Sequence, residues 1–311
     1  MFRGLFYKRF KQDKICICGA MPGNAEGKFW GDWHYALSMK REFELRGYQT
    51  IILSSEEWYQ ENDAKWMIIL RGKKTFDVDK KQIGKKYILW AISHPSSITA
   101  EECNAYDYVF FASNKLHEIF KNIIKPESEV LLQCADTEIM KCVDTFDKKY
   151  DLLFIGNSRG VYRKILEDVT PPDYPLTIYG RHWDRFPVSC YVAGRYMPRE
   201  NVGQAYHDAK IVLNDHWEDM LEYGIVSNRI FDALAAKAFV ISDYMPEIEE
   251  LFGEHVITYT TKEELRFKIR YYMEHDSERA YHACEGYNLV LLNHSFKNRI
   301  SIIIDRMHNI K

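Results

Sequence analysis

A chain of 311 residues is long enough for two domains of ordinary size. With 46% hydrophobic and 28% charged residues, its composition is that of a globular enzyme. A formal net charge of −3 excludes the strongly basic footprint of a nucleic-acid binder, and no apolar run approaches the roughly 20 residues that cross a bilayer.

The first 14 residues, Met1 to Lys14, lack the apolar core and cleavage site of a signal peptide. They interleave Phe2, Leu5, Phe6 and Phe10 with Arg3, Lys8, Arg9 and Lys11. That pattern suits either peripheral contact with an anionic membrane surface or packing on the protein's own surface. Residues 15–19 read as a strand and 33–46 as a helix, with Leu37, Phe43 and Leu45 as its apolar positions and Gly47 closing it. Apolar runs of strand length follow at 50–53, 66–70, 87–91 and 108–112, then a helix over 114–124. The polar stretch 141–149 marks a boundary, after which the pattern restarts. Strands are expected at 151–155, 176–179, 211–213 and 239–242. Helices are expected at 162–168, 229–236, 262–274, 277–292 and 295–307. Strands alternating with helices predict parallel βαβ units, hence two doubly wound α/β domains facing a cleft. Seven cysteines, at 16, 18, 103, 134, 142, 190 and 284, show no pairing rhythm, so reduced and mostly buried thiols of a cytoplasmic protein are expected. Cys16 and Cys18 should share one strand face.

Four segments can carry chemistry. Phe154-Ile-Gly-Asn-Ser-Arg159 follows a strand and precedes a helix; Gly156 lets amides approach an anion, and Arg159 adds a fork of donors. The stretch from Asn214 to Asp232 is unusually polar for a strand-to-helix junction. Ser227 is suited to cap the helix, whose first amides would face the cleft, and Asp232 lies a turn inside. Asp32 and His34, between the first strand and helix, are candidate general bases for an acceptor hydroxyl, Asp32 being equally suited to cap that helix. His94, held extended before Pro95, is a candidate acceptor or phosphate contact. Phosphate-loop, H-E-x-x-H, zinc-spaced, G-x-S-x-G and G-x-G-x-x-G patterns are missing. No metal and no cofactor are expected.

The run Ser227-Asn-Arg-Ile-Phe-Asp-Ala-Leu-Ala-Ala-Lys-Ala-Phe-Val-Ile-Ser-Asp243, followed by Pro246 and Glu249-Glu-Leu-Phe252, resembles the C-terminal signature of GT-B glycosyltransferases of the CgeB-like type, related to the group 1/family 4 transferases. Leu89-Trp-Ala-Ile-Ser-His-Pro95, Gln133-Cys-Ala-Asp136, Ile178-Tyr-Gly-Arg-His-Trp183 and His294-Ser-Phe296 with Arg299 extend the likeness over most of the chain. The resemblance implies an N-terminal Rossmann-like acceptor domain over 1–143, a Rossmann-like donor domain over 144–290, and a closing helix over 291–311 that returns to the first domain. It implies a nucleotide-sugar substrate and a glycan or lipid-linked acceptor. Gly156, Asn157 and Arg159 would line the phosphates, with Tyr196, Met197 and Pro198 near the base. Ser227, Asn228 and Arg229 would bind the diphosphate and Asp232 the ribose. The group carries two glutamates with seven residues between them. Here the second is Asp232, Gly224 stands eight positions earlier, and Glu222, ten earlier, is the candidate first acid. That spacing assigns neither retention nor inversion. The leading expectation is metal-independent glycosyl transfer in bacterial surface-polysaccharide synthesis. A GT-B-fold sugar-nucleotide epimerase and a non-catalytic glycan-binding module stay open beside it.

Overall fold

The computed structural model describes residues 13–145 and 147–310. The N-terminal half runs β1 (Lys14–Cys18), α1 (Gly31–Leu45), β2 (Gln49–Leu53), β3 (Trp66–Arg71), β4 (Lys86–Ala91), α2 (Ala100–Asn104), β5 (Tyr108–Phe111), α3 (Asn114–Phe120) and β6 (Glu127–Val130). These six strands are all parallel, in the order β2-β1-β3-β4-β5-β6. Every residue of β3 is buried, as expected of a strand covered on both faces by crossover helices. Cys16 and Cys18 share one face of β1, their sulfurs 3.8 Å apart.

The C-terminal half runs β7 (Tyr150–Ile155), α4 (Lys164–Val169), β8 (Leu176–Tyr179), β9 (Val192–Gly194), α5 (Arg199–His207), β10 (Ala209–Asn214), α6 (Glu218–Tyr223), α7 (Asn228–Ala235), β11 (Val240–Asp243), α8 (Pro246–Phe252), β12 (Ile257–Tyr259), α9 (Lys262–Glu274), α10 (Asp276–Asn293) and α11 (Phe296–Asn309). Its sheet is also parallel, in the order β12-β11-β10-β7-β8-β9. In each sheet the chain reverses its direction of strand addition once. The reversal lies between β1 and β3 in the first sheet and between β7 and β10 in the second. Crossover loops leave in opposite directions at such a point, and a crevice opens beyond the strand ends.

Two elements tie the halves together. Helix α11 returns to the first sheet, where Phe296, Ile300, Ile303 and Met307 join Tyr35, Ala36, Met39 and Phe43 of α1 in one core. Helix α6 sends Met220, and the loop after it sends Ile225, into the core on the other face of that sheet, beside Ile98, Cys103 and Leu116. The crossing is pinned by Arg299, whose Nε donates to the Leu132 carbonyl at 2.7 Å, Nη1 to Asn293 at 2.8 Å and Nη2 to Gln133 at 3.2 Å. Burial, then the Arg299 charge, lower the His294 pKa to about 4, so its Nδ1 is free to accept from the same guanidinium.

Several sequence expectations change. The inward face of α1 is Tyr35, Ala36, Met39 and Phe43; Leu37 and Leu45 are exposed. The helix expected over 114–124 ends at Phe120. Strands β6, β9 and β12 went unread because they are short, and β6 is a polar edge strand of sequence ESEV. The polar segments α5, α6 and α8 are helical. The expected membrane-contact segment lies almost wholly outside the described residues; within it, Asp13 pairs with Lys65, and Lys14 opens β1 and pairs with Asp63. Among the described residues no helix is long and apolar enough to cross a membrane.

Replacing Arg299 by Met should strip the hydrogen-bond donor from three main-chain carbonyls at the crossing. A loss of about 3 kcal/mol is expected, read as a lower urea midpoint with an unchanged slope.

Candidate active site

The crevice of the second sheet is floored by the turn after β7. The Ser158 amide donates to the Arg181 carbonyl, the Gly160 amide to Ser158 Oγ and the Gly156 amide to Tyr179 O. Among the described residues the Asn157 and Arg159 amides have no acceptor. Arg159 itself holds φ at 52°, an unfavourable region for a residue with a side chain. Asn157 accepts from the Arg181 amide at 2.7 Å, which joins this turn to the end of β8.

Arg229 lies beneath that turn. Its Nε donates to Ile155 O at 2.9 Å and its Nη1 to Asn214 Oδ1 at 2.7 Å, with the guanidinium 4.7 Å over the Phe154 ring. A Cβ at Gly156 would stand 2.5 Å from Arg229 Nη2, so a side chain here would displace the guanidinium from its present place. Arg163 is neutralised by Asp215, with Nε to Oδ2 at 3.1 Å and a second, shorter contact from Nη2 to Oδ1. Arg229 has neutral partners, whereas Arg159 is exposed, lies 5.3 Å over Trp217 and makes no side-chain hydrogen bond among the described residues. Neither the Arg159 nor the Arg229 guanidinium is hydrogen-bonded to a carboxylate among the described residues.

The start of α7 differs from the expected row of open amides. The Ser227 amide donates to His216 Nε2 at 2.9 Å, and Ser227 Oγ caps the Arg229 amide at 3.4 Å. Asn228 Nδ2 donates to Asp232 Oδ2 at 3.0 Å, and Arg199 approaches that oxygen at 3.6 Å. Asn228 Oδ1 and Asp232 Oδ1 are buried without a hydrogen-bond partner.

Asp32 stands at the crevice of the first sheet, its Oδ2 3.2 Å from where a Cβ on Gly72 would lie. It does not cap α1; Trp30 occupies that position, and Asp32 accepts from the Ala20 amide. Burial raises its pKa, and the Arg159 charge from across the cleft pulls it back. His94 holds φ at 54° rather than the expected extended geometry, with Ser93 Oγ 3.1 Å from its Nδ1. Burial and Arg159 lower its pKa, leaving a neutral imidazole at neutral pH. His34 does not join this group. It faces Arg199, and burial followed by that charge lowers its pKa to about 4.

Glu222 is exposed on α6. Asp219, one turn earlier, is the acid whose charge acts on both Arg159 and His94, and its Oδ2 accepts from Ser96 Oγ at 3.4 Å. Gly224 has φ of 70°, and its absent Cβ would stand 2.3 Å from Glu247 Oε1, so no glutamate fits there. Tyr196 meets Phe29 edge-on at 4.8 Å across the cleft mouth, Arg181 lies 4.5 Å over Phe29, and Arg181 pairs with Glu26 at 2.5 Å. Met197 packs on the C-terminal core and Pro198 caps α5. Asp219, Phe29 and Arg181 were missed because nothing local distinguishes them from ordinary surface residues; only the apposition of the halves does. Cys142, Asp144 and His207 bring ligand atoms within 4.8 Å of one another. His207, however, spends Nδ1 on Ala236 O and Nε2 on the Thr145 amide, and Asp144 pairs with Lys237. The group reads as an anchor of the interdomain linker.

Two Rossmann-like domains facing one another across a cleft, with the C-terminal helix returning to the first, are the GT-B architecture. Residues 159–305 match the family model described as "Glycosyl transferase-like". No curated protein matches the sequence. Among solved structures, sucrose-phosphate synthase from Thermosynechococcus elongatus superposes with a TM-score of 0.68 at 7% identity, over 96% of this chain and 99% of that one. Anabaena HepE in complex with UDP and glucose gives 0.69 at 11% identity, over 96% and 100%. A glycosyltransferase from Rickettsia africae gives 0.64 at 12% identity, over 96% and 99%. The fold is that of GT-B glycosyltransferases, and the matching C-terminal half marks the chain as an enzyme of the glycosyltransferase type.

Burial raises the Asp232 pKa to about 6, with Arg199 opposing and Asp136 reinforcing the shift. The folded protein therefore binds more protons than the unfolded chain between the ordinary value of 3.8 and about 6, and its stability falls as pH rises through that window. Asp232→Asn should melt higher than wild type at pH 8, by the equivalent of about 2–3 kcal/mol, with the difference shrinking towards pH 4 in thermal melts.

Proposed function

We propose that this enzyme transfers a glycosyl group from a nucleoside-diphosphate sugar to a hydroxyl of a glycan or lipid-linked acceptor. The carrying observation is the pair of carboxylate-free guanidiniums, Arg159 and Arg229, converging on the turn whose Asn157 and Arg159 amides are open. A diphosphate matches that charge and those donors. HepE, crystallised with UDP and glucose and with UDP-glucose, supports a nucleotide-sugar substrate. Asp232 and Asn228, with their unpartnered buried oxygens, are the natural acceptors for ribose hydroxyls. Tyr196 to Pro198 are assigned to the base.

Asp32 is assigned the proton of the acceptor hydroxyl. It lies at the opposite crevice and already interacts with Arg159, so a hydroxyl held there would stand between base and leaving group. As the bond to the sugar breaks, negative charge grows on the departing diphosphate. Arg159 and Arg229 stabilise it without reorganising, the latter because it is already fixed by two hydrogen bonds. Their charge supports metal-independent transfer. The likeness of Ser227–Asp243 to CgeB-like transferases supports a role in building bacterial surface polysaccharide from the cytoplasmic side.

A panel of nucleotide-sugars, assayed with and without glycan acceptors, tests this reading. Nucleoside diphosphate released only when acceptor is present is expected; interconversion of free sugar nucleotides would replace the reading with epimerisation. Arg159→Ala should weaken nucleoside-diphosphate binding by about tenfold with an unchanged melt, because the side chain holds no structural hydrogen bond. Asp32→Asn should keep donor affinity and lose a hundredfold or more in kcat, an estimate on the order of general-base effects. The acid limb of kcat/KM should lie above the usual aspartate value of about 3.9, since the base must be ionised, and move higher still in Arg159→Ala.

A further inference from the structure

Three consecutive residues at the end of β10 each hold a different part of the donor floor. Asn214 Oδ1 accepts from Arg229 Nη1 at 2.7 Å. Asp215 binds Arg163 through both its carboxylate oxygens and its main-chain carbonyl. His216 accepts the Ser227 amide at Nε2, 2.9 Å away. They are also linked to one another through β11. Asn214 Nδ2 donates to Ser242 Oγ at 2.8 Å, Ser242 Oγ donates to Asp243 Oδ1 at 2.9 Å, and that oxygen lies 2.6 Å from His216 Nδ1. Asp243 Oδ2 accepts the His216 amide at 2.8 Å.

We propose that Asn214, Asp215 and His216 form a positioning triplet for the donor site, in which His216 fixes the Ser227 amide and with it the start of α7. The proposal rests on the nucleotide-sugar reading of that site. The His216 side chain is completely buried, so it touches no substrate and acts through Ser227. Its tautomer follows from the network. Ser227 N–H can only donate, so Nε2 carries a lone pair, and the ring proton sits on Nδ1 facing the Asp243 carboxylate. Without the imidazole the Ser227 amide would be buried with no acceptor, and the loop from Gly224 to Ser227 would be free to rotate Asn228 and Asp232 away from their present places. The triplet explains why polar residues crowd a strand end that is otherwise core: Asn214 and Asp215 are as buried as the apolar residues before them.

The test uses the full chain and whichever of ADP, CDP, GDP, UDP and dTDP the wild type binds most tightly by calorimetry. His216→Leu should weaken that nucleotide about tenfold or more and raise the donor KM further than it lowers kcat. His216→Gln, whose Oε1 can replace Nε2 as acceptor, should return affinity to within about threefold of wild type. A long-range nitrogen–proton spectrum of the wild type should show His216 with Nδ1 protonated and Nε2 bare. Unchanged nucleotide affinity in His216→Leu overturns the triplet alone. If that variant does not fold, an Nε2–H tautomer, or a glutamine variant that binds no better than Arg159→Ala, overturns it. A wild type that binds none of the five nucleotides, yet shows the Nδ1–H tautomer, removes the nucleotide-sugar reading and leaves the network as scaffold only.

Discussion

The proposed donor site is built around a guanidinium whose hydrogen bonds go to neutral groups. Arg229 is held by a main-chain carbonyl at the end of β7 and an amide oxygen at the end of β10, the two strands between which the second sheet reverses. Neutral partners fix its geometry, and in a low-dielectric crevice its charge attracts an anion far more strongly than at a surface. The guanidinium packs directly against Gly156, where a Cβ would crowd it. The carboxylates nearby are committed elsewhere, Asp215 to Arg163 and Asp243 to His216.

The two crevices face one another because α6 and α11 cross between the halves. Each carries C-terminal chain into the core of the first sheet, on opposite faces, which sets how far Arg159 stands from Asp32. A charge on one domain can therefore tune a carboxyl group on the other. The cleft mouth carries its own contact, in which Phe29, Tyr196, Arg181 and Glu26 join the halves by ring contacts and one partly exposed ion pair. Such a contact is worth little in solvent and is readily broken, as an opening for substrate requires.

Strain marks the same place. His94 and Arg159, two of the four non-glycine residues with positive φ among those described, lie at the ends of β4 and β7 and act on one another electrostatically across the cleft. Such conformations persist only where neighbours over-determine them. Ser93 beside His94 and the Ser158 hydrogen bonds beside Arg159 do so here.

Alternation of apolar runs and amphipathic segments was sufficient to predict two parallel α/β domains, since a strand buried on both faces must be apolar throughout. The runs over 66–70 in β3 and 87–91 in β4 are of that kind. The turn that holds Gly156 and Arg159 and the Ser227 cap of α7 were legible because a glycine turn and a capped helix start are local patterns. Helix α6 was not legible, since its charged sequence reads as loop and its burial depends on the other domain. Nor could local pattern separate Asp32 from His34: both follow the same strand, yet one meets Arg159 and the other Arg199. The partners of a charge are set by which distant segments fold against it. Thus the sequence by itself determined the two sheets and their strand-end loops. Only the tertiary structure decided which guanidiniums go without a hydrogen-bonded carboxylate, which acids act on Arg159, and that the His216 ring spans Asp243 and the Ser227 amide.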